Sequence, residues 1–359
     1  MNRPDQFDLI VVGGGPAGSA TAITAVRRGL RVLLLEAGSF PRHKVCGEFV
    51  SPDALATLQT LLATERFDAL TKDAPKICNI RLLPLEAPEA VLPFPQAALS
   101  IPRYDLDAAL WNAALEAGVD CRDHSRADAM KREAGRWEIT CGEDRVYASH
   151  LILTTGRWSN LPRRAAPPKT SLWIGLKAQF YEANPARSCD LYFFRDGYCG
   201  VQPVGNDRVN VATMVRSDIA KSLPEAFACH PALAQRSQQW VQVFPPLSCA
   251  PLVHGTPSTS LDGALLAGDA AGFVDPFVGD GISLALHSGC LAAEAICTAP
   301  TRAAEVYAAN YRRALAPAFR NAAHLRRLTS APALIQRMAL GALRIPQIQR
   351  KVIAATRVR

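Results

Sequence analysis

This chain has no run of apolar residues approaching the ~18–20 that a membrane-spanning helix requires, so no transmembrane segment is expected. Met1–Gln6, ahead of the first apolar run, is short and polar, and no cleavable leader is expected there. The ten cysteines include no C-x-x-C pair, and with the seven histidines they make no zinc-like spacing. Neither a dithiol redox motif nor a metal centre is expected. Apart from Cys46, the scattered cysteines read as reduced core residues of a cytoplasmic protein. No Ser-His-Asp or paired-carboxylate constellation stands out. Acidic residues are missing from Val306 to Arg359, where eleven Lys or Arg fall. Because the whole chain carries +8, the remainder is slightly acidic, and the excess belongs to a C-terminal tail. No nucleic-acid motif accompanies that tail, so no nucleic-acid partner is expected. At 49% hydrophobic and 20% charged over 359 residues, the composition is that of a globular chain long enough for two lobes.

What is present begins at residue 7. Phe7 to Val12 is apolar, β-branched and of strand length. Gly13, Gly15 and Gly18 follow at the G-x-G-x-x-G spacing, and Ala17 to Val26 is rich in small helix formers. Gly13 permits the tight turn, Gly15 lets a pyrophosphate approach the backbone, and Gly18 lets helix and strand pack closely. Pro16 and Ala17 open the helix, whose N-terminus offers free N–H groups to phosphate. A second strand, Arg31 to Leu35, ends in Glu36. An acid there can accept both hydroxyls of an adenosine ribose and would repel a 2′-phosphate.

A second motif lies near the other end of the chain. Leu261 to Ala267 reads as a short strand delivering Gly268 and Asp269. Pro276, Gly279 and Gly281 follow, then an apolar helix from Ile282 to Ile296. Asp269 is placed to accept hydrogen bonds from a polyol such as a ribityl chain. Pro276 and the glycines shape a loop against which a flat ring can lie. The helix N-terminus near Gly281 to Ser283, Ile282 included, would stabilise negative charge at the edge of a reduced flavin. The first motif alone indicates a dinucleotide; the two together indicate FAD.

The stretch from Gly268 to Ile282 resembles the second FAD motif of the geranylgeranyl reductase family, which shares the p-hydroxybenzoate hydroxylase fold with flavin monooxygenases and halogenases. Three further stretches are similar. Phe40-Pro-Arg-His-Lys-Val-Cys-Gly-Glu-Phe resembles the family's Pro-Arg-x-Lys-x-Cys-Gly segment beside the flavin. Ile101 to Leu110 resembles its Arg-x-x-Phe-Asp-x-x-Leu helix start, whose arginine, here Arg103, contacts FAD. Leu151 to Ser159 resembles its strand ending Ala-Asp-Gly-x-x-Ser, with Thr155 where Asp is usual. The resemblance implies an α/β fold: a Rossmann-like FAD-binding domain, an inserted antiparallel β-sheet substrate domain and a helical C-terminus. It adds Arg42, Lys44, Cys46, Gly47, Arg103, Thr155 and Gly156 to the expected FAD contacts. Residues 1–75, 101–165 and 251–298 are assigned to the FAD-binding domain. Residues 76–100 and 166–250 are assigned to the substrate domain, with Pro162 to Pro168 as a linker, and 299–359 to the basic helical tail.

Strands between 170 and 250 carry many aromatics, which suits an apolar cavity against a flavin. Alternation puts about half of them in the core instead. Trp173, Phe193, Tyr198 and Gln202 are the expected substrate-pocket residues. Asp196 to Pro203 resembles the Gly-Gly-Tyr-x-Trp-x-Phe-Pro stretch of prenyl reductases, with Gly200 for Trp and Gln202 for Phe, which implies a more polar, differently shaped pocket. Cys46 and Glu48 are the candidate catalytic residues. Cys46 is a proton donor or redox partner whose thiol Arg42 and Lys44 would acidify, or a small packing residue. Glu48 is an acid or base, or simply the partner of an arginine or a helix end. The expected activity is FAD-dependent oxidoreduction of a lipid-like, polyketide-like or aromatic small molecule by hydride transfer at flavin N5. NADH or NADPH is the candidate electron donor. A hydroxylating monooxygenase is the alternative, weakened by Thr155. A halogenase is disfavoured because no Trp-x-Trp-x-Ile-Pro motif is present, and a non-catalytic flavin carrier or a flavin-free NAD-dependent dehydrogenase are the remaining readings. The tail either contacts an anionic membrane or packs on the body, and a monomer or weak dimer is expected.

Overall fold

A computed structural model describes residues 6–157, 161, 172–252, 255–329, 331, 333–343, 345–355 and 357. The expected linker from Pro162 to Pro168 lies outside them. In chain order, β1 (Gln6–Val12), α1 (Pro16–Val26) and β2 (Val32–Leu35) come first, then β3 (Phe49–Val50), α2 (Pro52–Leu61) and α3 (Thr64–Thr71). A hairpin of β4 (Lys76–Pro84) and β5 (Ala90–Ser100) precedes α4 (Arg103–Glu116). Next are β6 (Asp120–Arg122), β7 (Ala129–Glu133), β8 (Arg136–Cys141) and β9 (Asp144–Leu153). Four strands follow, β10 (Trp173–Tyr181), β11 (Ser188–Phe194), β12 (Gly197–Pro203) and β13 (Arg208–Arg216), of which the last three form a meander that returns to β10. Then come α5 (Leu223–Ala228), α6 (Pro231–Arg236), β14 (Val241–Gln242), β15 (Leu247–Cys249), β16 (Ser260–Leu261) and β17 (Ala264–Leu266). The rest is helical: α7 (Gly281–Thr298), α8 (Ala303–Ala314), α9 (Ala316–Thr329), α10 (Ala333–Ala342) and α11 (Pro346–Ala355).

The first sheet has the order β16-β17-β9-β1-β2-β6, with β7 and β8 attached at β9. β1 lies parallel between β2 and β9, with Ile10 opposite Leu33 on one side and Leu151 on the other. Buried on both faces, these strands are near-continuous Val, Ile and Leu. β17 and β6 extend the parallel set, so the carboxyl ends of β1, β2, β9 and β17 share one edge. β9 is a single strand of ten residues. Its first half pairs antiparallel with β8 and its second half parallel with β1, so a single extended segment serves both neighbours.

The second sheet runs β14-β10-β13-β12-β11-β4-β5-β3, with β15 on β10. It is antiparallel except for β4 and β11, which pair in parallel. These two are joined by a long excursion through the first sheet, not by a hairpin, so no turn imposes reversal. β3, from the first segment of the chain, pairs with β5 of this sheet. The loop just ahead of β3 therefore stands where the two sheets meet.

α7 is 18 residues long and, by length and composition, apolar enough to cross a membrane, contrary to the expectation that no run approaches this. More than half of it is buried, and it packs against α1 in the core. Contact is close: a Cβ on Gly289 would lie 2.3 Å from the Ala17 carbonyl oxygen. Tyr307 of α8 is fully buried and its hydroxyl donates to the Leu266 carbonyl at 2.8 Å, fixing the tail to β17. Pro317 and Pro346 fall at the starts of α9 and α11, where a missing N–H costs nothing.

Candidate active site

The shared strand edge of the first sheet opens onto a cavity of about 550 Å³ walled on its far side by β11, β12 and β13. β1 delivers Gly13, whose φ is +108° and whose Cβ would lie 2.5 Å from the Thr154 carbonyl oxygen. Only glycine fits there. Gly18 does not line the cavity. Its Cβ would fall 1.8 Å from the Gly13 carbonyl oxygen, so it serves the turn by letting α1 approach. Gly15 caps α1 without a side-chain hydrogen bond and Pro16 occupies the first turn, leaving backbone N–H groups directed at the cavity. Ala17 lines the same wall.

Glu36, at the end of β2, is buried. Its carboxylate accepts from Gly14 N at 2.8 Å, Gly38 N at 3.0 Å and Arg42 Nη1 at 2.7 Å. Burial pushes this carboxyl up, but Arg42 and the two backbone N–H groups outweigh it and hold the pKa below its ordinary 4.5. Its contribution is therefore present above pH 4.5 and is lost as pH falls through that lower value. These donors occupy three of about four acceptor positions on the carboxylate. Glu36 braces the glycine turn as well as facing the nucleotide end of the cavity.

Cations surround the middle of the cavity. Arg103 opens α4 and grips Asp107 one turn on, with Nε–Oδ1 at 2.6 Å and Nη2–Oδ2 at 2.7 Å. Burial opposes its charge, but Asp107 and then Cys46 raise its pKa further. A Cβ on Gly15 would lie 3.7 Å from Arg103 Nη2, so the guanidinium stands over the glycine turn. Lys44 is held below the usual lysine range by burial, then by Arg42 and Arg103. Asp269 is raised by burial, against the pull of Arg157, Arg103 and Lys44. Arg157 is a residue that sequence reasoning missed. It reaches Asp269 at 3.7 Å, stacks on Phe273 at 4.5 Å and donates to Cys249 Sγ at 3.2 Å. Its place directly after Thr155 and Gly156, both on the cavity wall, was the available signal.

The loop from Cys46 to Glu48 is bracketed by the second sheet. Glu48 has φ +63° and a side chain with no exposure. It accepts from Lys177, itself fully buried, from Gln179 Nε2 at 3.2 Å and from Arg103 N at 3.0 Å. Asn210 Nδ2 donates to the carbonyls of Cys46 and Gly47 at 3.2 and 2.9 Å. Glu48 thus has the geometry of a cation's partner and not of a free acid or base. Lys177, Gln179 and Asn210 were missed, although Lys177 is the one charged residue in Trp173–Phe180. The Cys46 thiol lines the cavity and accepts from Glu48 N at 3.3 Å.

Opposite lie Gly268, Pro276, Gly279, Gly281 and Ile282. Gly279 has φ +72°, with its added Cβ 3.1 Å from the Phe49 ring. Gly47, Gly156 and Gly281 have nothing within 4 Å of an added Cβ, so three glycines on the cavity wall present bare backbone to it. The tail fastens this loop: Arg326 pairs with Asp275 at 2.7 Å, and Arg357 with Asp280 at 3.5 Å. Both contacts were missed.

On the substrate side, Tyr198 and Gln202 line the cavity with Leu191, Gly200, Ala212 and Met214. Burial holds the Tyr198 phenol well above its usual pKa, and Gln202 Nε2 donates to Ser100 Oγ at 2.7 Å. Trp173 does not line the cavity: it begins β10, and its ring lies 4.7 Å beneath Arg326. Phe193 lines an adjoining side cavity of about 160 Å³. Tyr192, Phe194 and Trp240 pack in a separate core with α5 and α6. His287 is held by the Ser283 carbonyl and Thr57, and His43 stacks on Phe244 at 4.3 Å. Among the described residues no His, Cys, Asp and Glu cluster could hold a metal.

A glycine turn on a helix N-terminus, a buried acid at the strand end, cations beside it and bare backbone facing a slot fit FAD. The family described as FAD dependent oxidoreductase matches residues 53–295, and a further family of the same description matches residues 8–71. The menaquinone reductase of Mycolicibacterium smegmatis is 29% identical over 315 residues, covering 80% of this chain and 76% of that protein. Digeranylgeranylglycerophospholipid reductase 1 of Methanococcoides burtonii is 28% identical over 318 residues, covering 81% and 74%. A flavin-dependent brominase of known structure shares the fold, with a TM-score of 0.81 over 98% of this chain and 93% of that one at 21% identity.

Proposed function

This chain belongs to the FAD dependent oxidoreductase family, with geranylgeranyl reductases among its relatives, and on that premise we propose that it reduces an apolar small molecule by hydride transfer at flavin N5. FAD, once bound and reduced by a nicotinamide nucleotide, would supply the hydride. The observation that carries the reading is the continuity of the cavity. Ile80, Leu191, Phe277 and Val278 line both the main cavity and the side cavity, whose other walls are mostly aliphatic, with Phe193, Gln336 and Arg357 among them. At about 160 Å³ the side cavity has room for a benzene-sized group, since an engineered apolar cavity of ~150 Å³ holds benzene. The names of the two reductases above, which act on a quinone and an isoprenoid lipid, support the same class of substrate.

The chain's own residues bind, orient and keep the site dry. Arg103, Lys44 and the α1 N-terminus would hold the diphosphate. Glu36 would face the adenosine and Asp269 the ribityl chain. Gly47, Gly156 and Gly281 would give a flat ring its slot, and the α7 N-terminus would favour negative charge on it. Tyr198 keeps its proton and offers it as a hydrogen bond to a substrate oxygen. Enzyme photoreduced under argon and mixed with menadione, or with a quinone bearing one prenyl unit, tests this. Reoxidation should saturate with quinone, at lower concentration for the prenylated one. Reoxidation no faster than that of free reduced flavin would refute the reading.

Cys46 packs beside the ring slot. Cys46→Ala is expected to keep turnover within about threefold. A loss of ~10²-fold with an unchanged flavin spectrum would assign it the proton instead.

A further inference from the structure

We propose that the outer face of α10 docks this protein on an anionic lipid surface. Helix α10 is apolar on two sides. Ala339 and Leu340, with Leu343 just beyond its end, roof the side cavity. Leu334 and Met338 point away and are 70% and 69% exposed, and Ile335 between them is 46% exposed. Positions i and i+4 stack on one face and i+1 lies about 100° round, within the width of one apolar stripe, so these three form a single apolar surface. Arg337 on the same helix donates to the Glu86 carbonyl at 3.1 and 3.0 Å, which brings up the β4–β5 hairpin tip and its exposed Leu85. Large apolar groups left bare in this density on one element mark a contact surface.

The charge around them selects the partner. Val306 to Arg359 contains eleven Lys or Arg and no Asp or Glu. Arg326 and Arg357 turn inward to Asp275 and Asp280, whereas Arg327, Arg337, Arg350 and Lys351 are exposed. An apolar helix face among dispersed cations is what an interfacial helix presents to acidic headgroups. A second copy fits poorly, because a two-fold contact through this face would set two acid-free cationic tails against each other. The inward pairs tie α9, against which α10 packs, and the segment after α11 to the loop that borders the main cavity, and the inner side of α10 lines the side cavity. A lipid-soluble substrate would then enter beneath α10. That route rests on the proposed apolar substrate; the docking does not.

Co-sedimentation of the full chain with phosphatidylcholine vesicles, with and without phosphatidylglycerol, tests the docking. The protein should pellet with the anionic vesicles at low salt, stay in solution with neutral ones and be released by high salt. The double variant Leu334→Asp, Met338→Asp should lower the partition coefficient about tenfold or more. Both side chains are exposed, so flavin content and melting temperature should be unchanged. Reversal of charge by Arg350→Glu and Lys351→Glu should weaken binding to the anionic vesicles in the same direction. Wild-type protein remaining in the supernatant at low salt, or pelleting of the double variant equal to wild type, would overturn the proposal. So would a dimer in sedimentation velocity that the double variant abolishes, since that would assign the face to a second copy. No arm depends on turnover, so failure of the reductase reading would leave this result standing.

Discussion

Glu48→Ala is expected to destabilise the protein by about 3–5 kcal/mol, because it strands a buried lysine. Neither Glu48 nor Lys177 has any exposure. Removing the carboxylate leaves an ammonium in the interior with no counter-charge, and also orphans Gln179 Nε2 and Arg103 N. The left-handed backbone at residue 48 would still have to be held, now without its side-chain anchors. Lys177→Met alone should cost a comparable amount, since it leaves the carboxylate unpaired. The double variant Glu48→Ala, Lys177→Met should cost clearly less than the two single changes summed, because it removes both charges together. Equilibrium denaturation of the four proteins measures this. A Glu48→Ala protein within about 1 kcal/mol of wild type would mean that the pair does not brace the Cys46–Glu48 loop as described.

The second large effect is on cofactor affinity. Glu36→Ala removes an acceptor at the nucleotide end and the brace on Gly14, Gly38 and Arg42. A hydrogen bond to a charged group contributes ~1.5–3 kcal/mol, so FAD affinity should fall about tenfold to a hundredfold. Titration of apoprotein with FAD, followed by flavin fluorescence, reads this directly. The same experiment on wild type at falling pH should show affinity maintained above pH 4.5 and declining below it, as the depressed Glu36 carboxyl takes up its proton. Unchanged affinity in Glu36→Ala would remove this residue from the site.

The nucleotide end of the site was legible in the sequence because its determinants are local. Strand, glycine turn and helix follow one another from Phe7 to Val26, and the acid that closes the turn comes at the end of the next strand. The loop from Gly268 to Ile282 was equally compact. The bracket on the Cys46–Glu48 loop was not, since Lys177 and Glu48 are 129 positions apart and meet only when β10 comes to lie beside that loop. A lone lysine among apolar strand residues was the trace it left. Trp173 shows the limit of alternation. It shares a face with Gly175, Lys177 and Gln179, but it stands at the strand's first residue, where the cavity has ended. The eleven cations of the tail read as one basic segment, yet Arg326 and Arg357 fold inward onto Asp275 and Asp280. Composition reports charge and is silent on which charges find partners.

Hydride transfer without oxygen insertion is the central claim, and mass analysis of the product tests it most directly. Turnover of a prenylated quinone with a reduced nicotinamide nucleotide under ¹⁸O₂ should give a product heavier by two hydrogens, with no ¹⁸O, at a yield unaffected by removing oxygen. A product carrying ¹⁸O, or one that fails to form under argon, would contradict the account and assign the site to oxygenation.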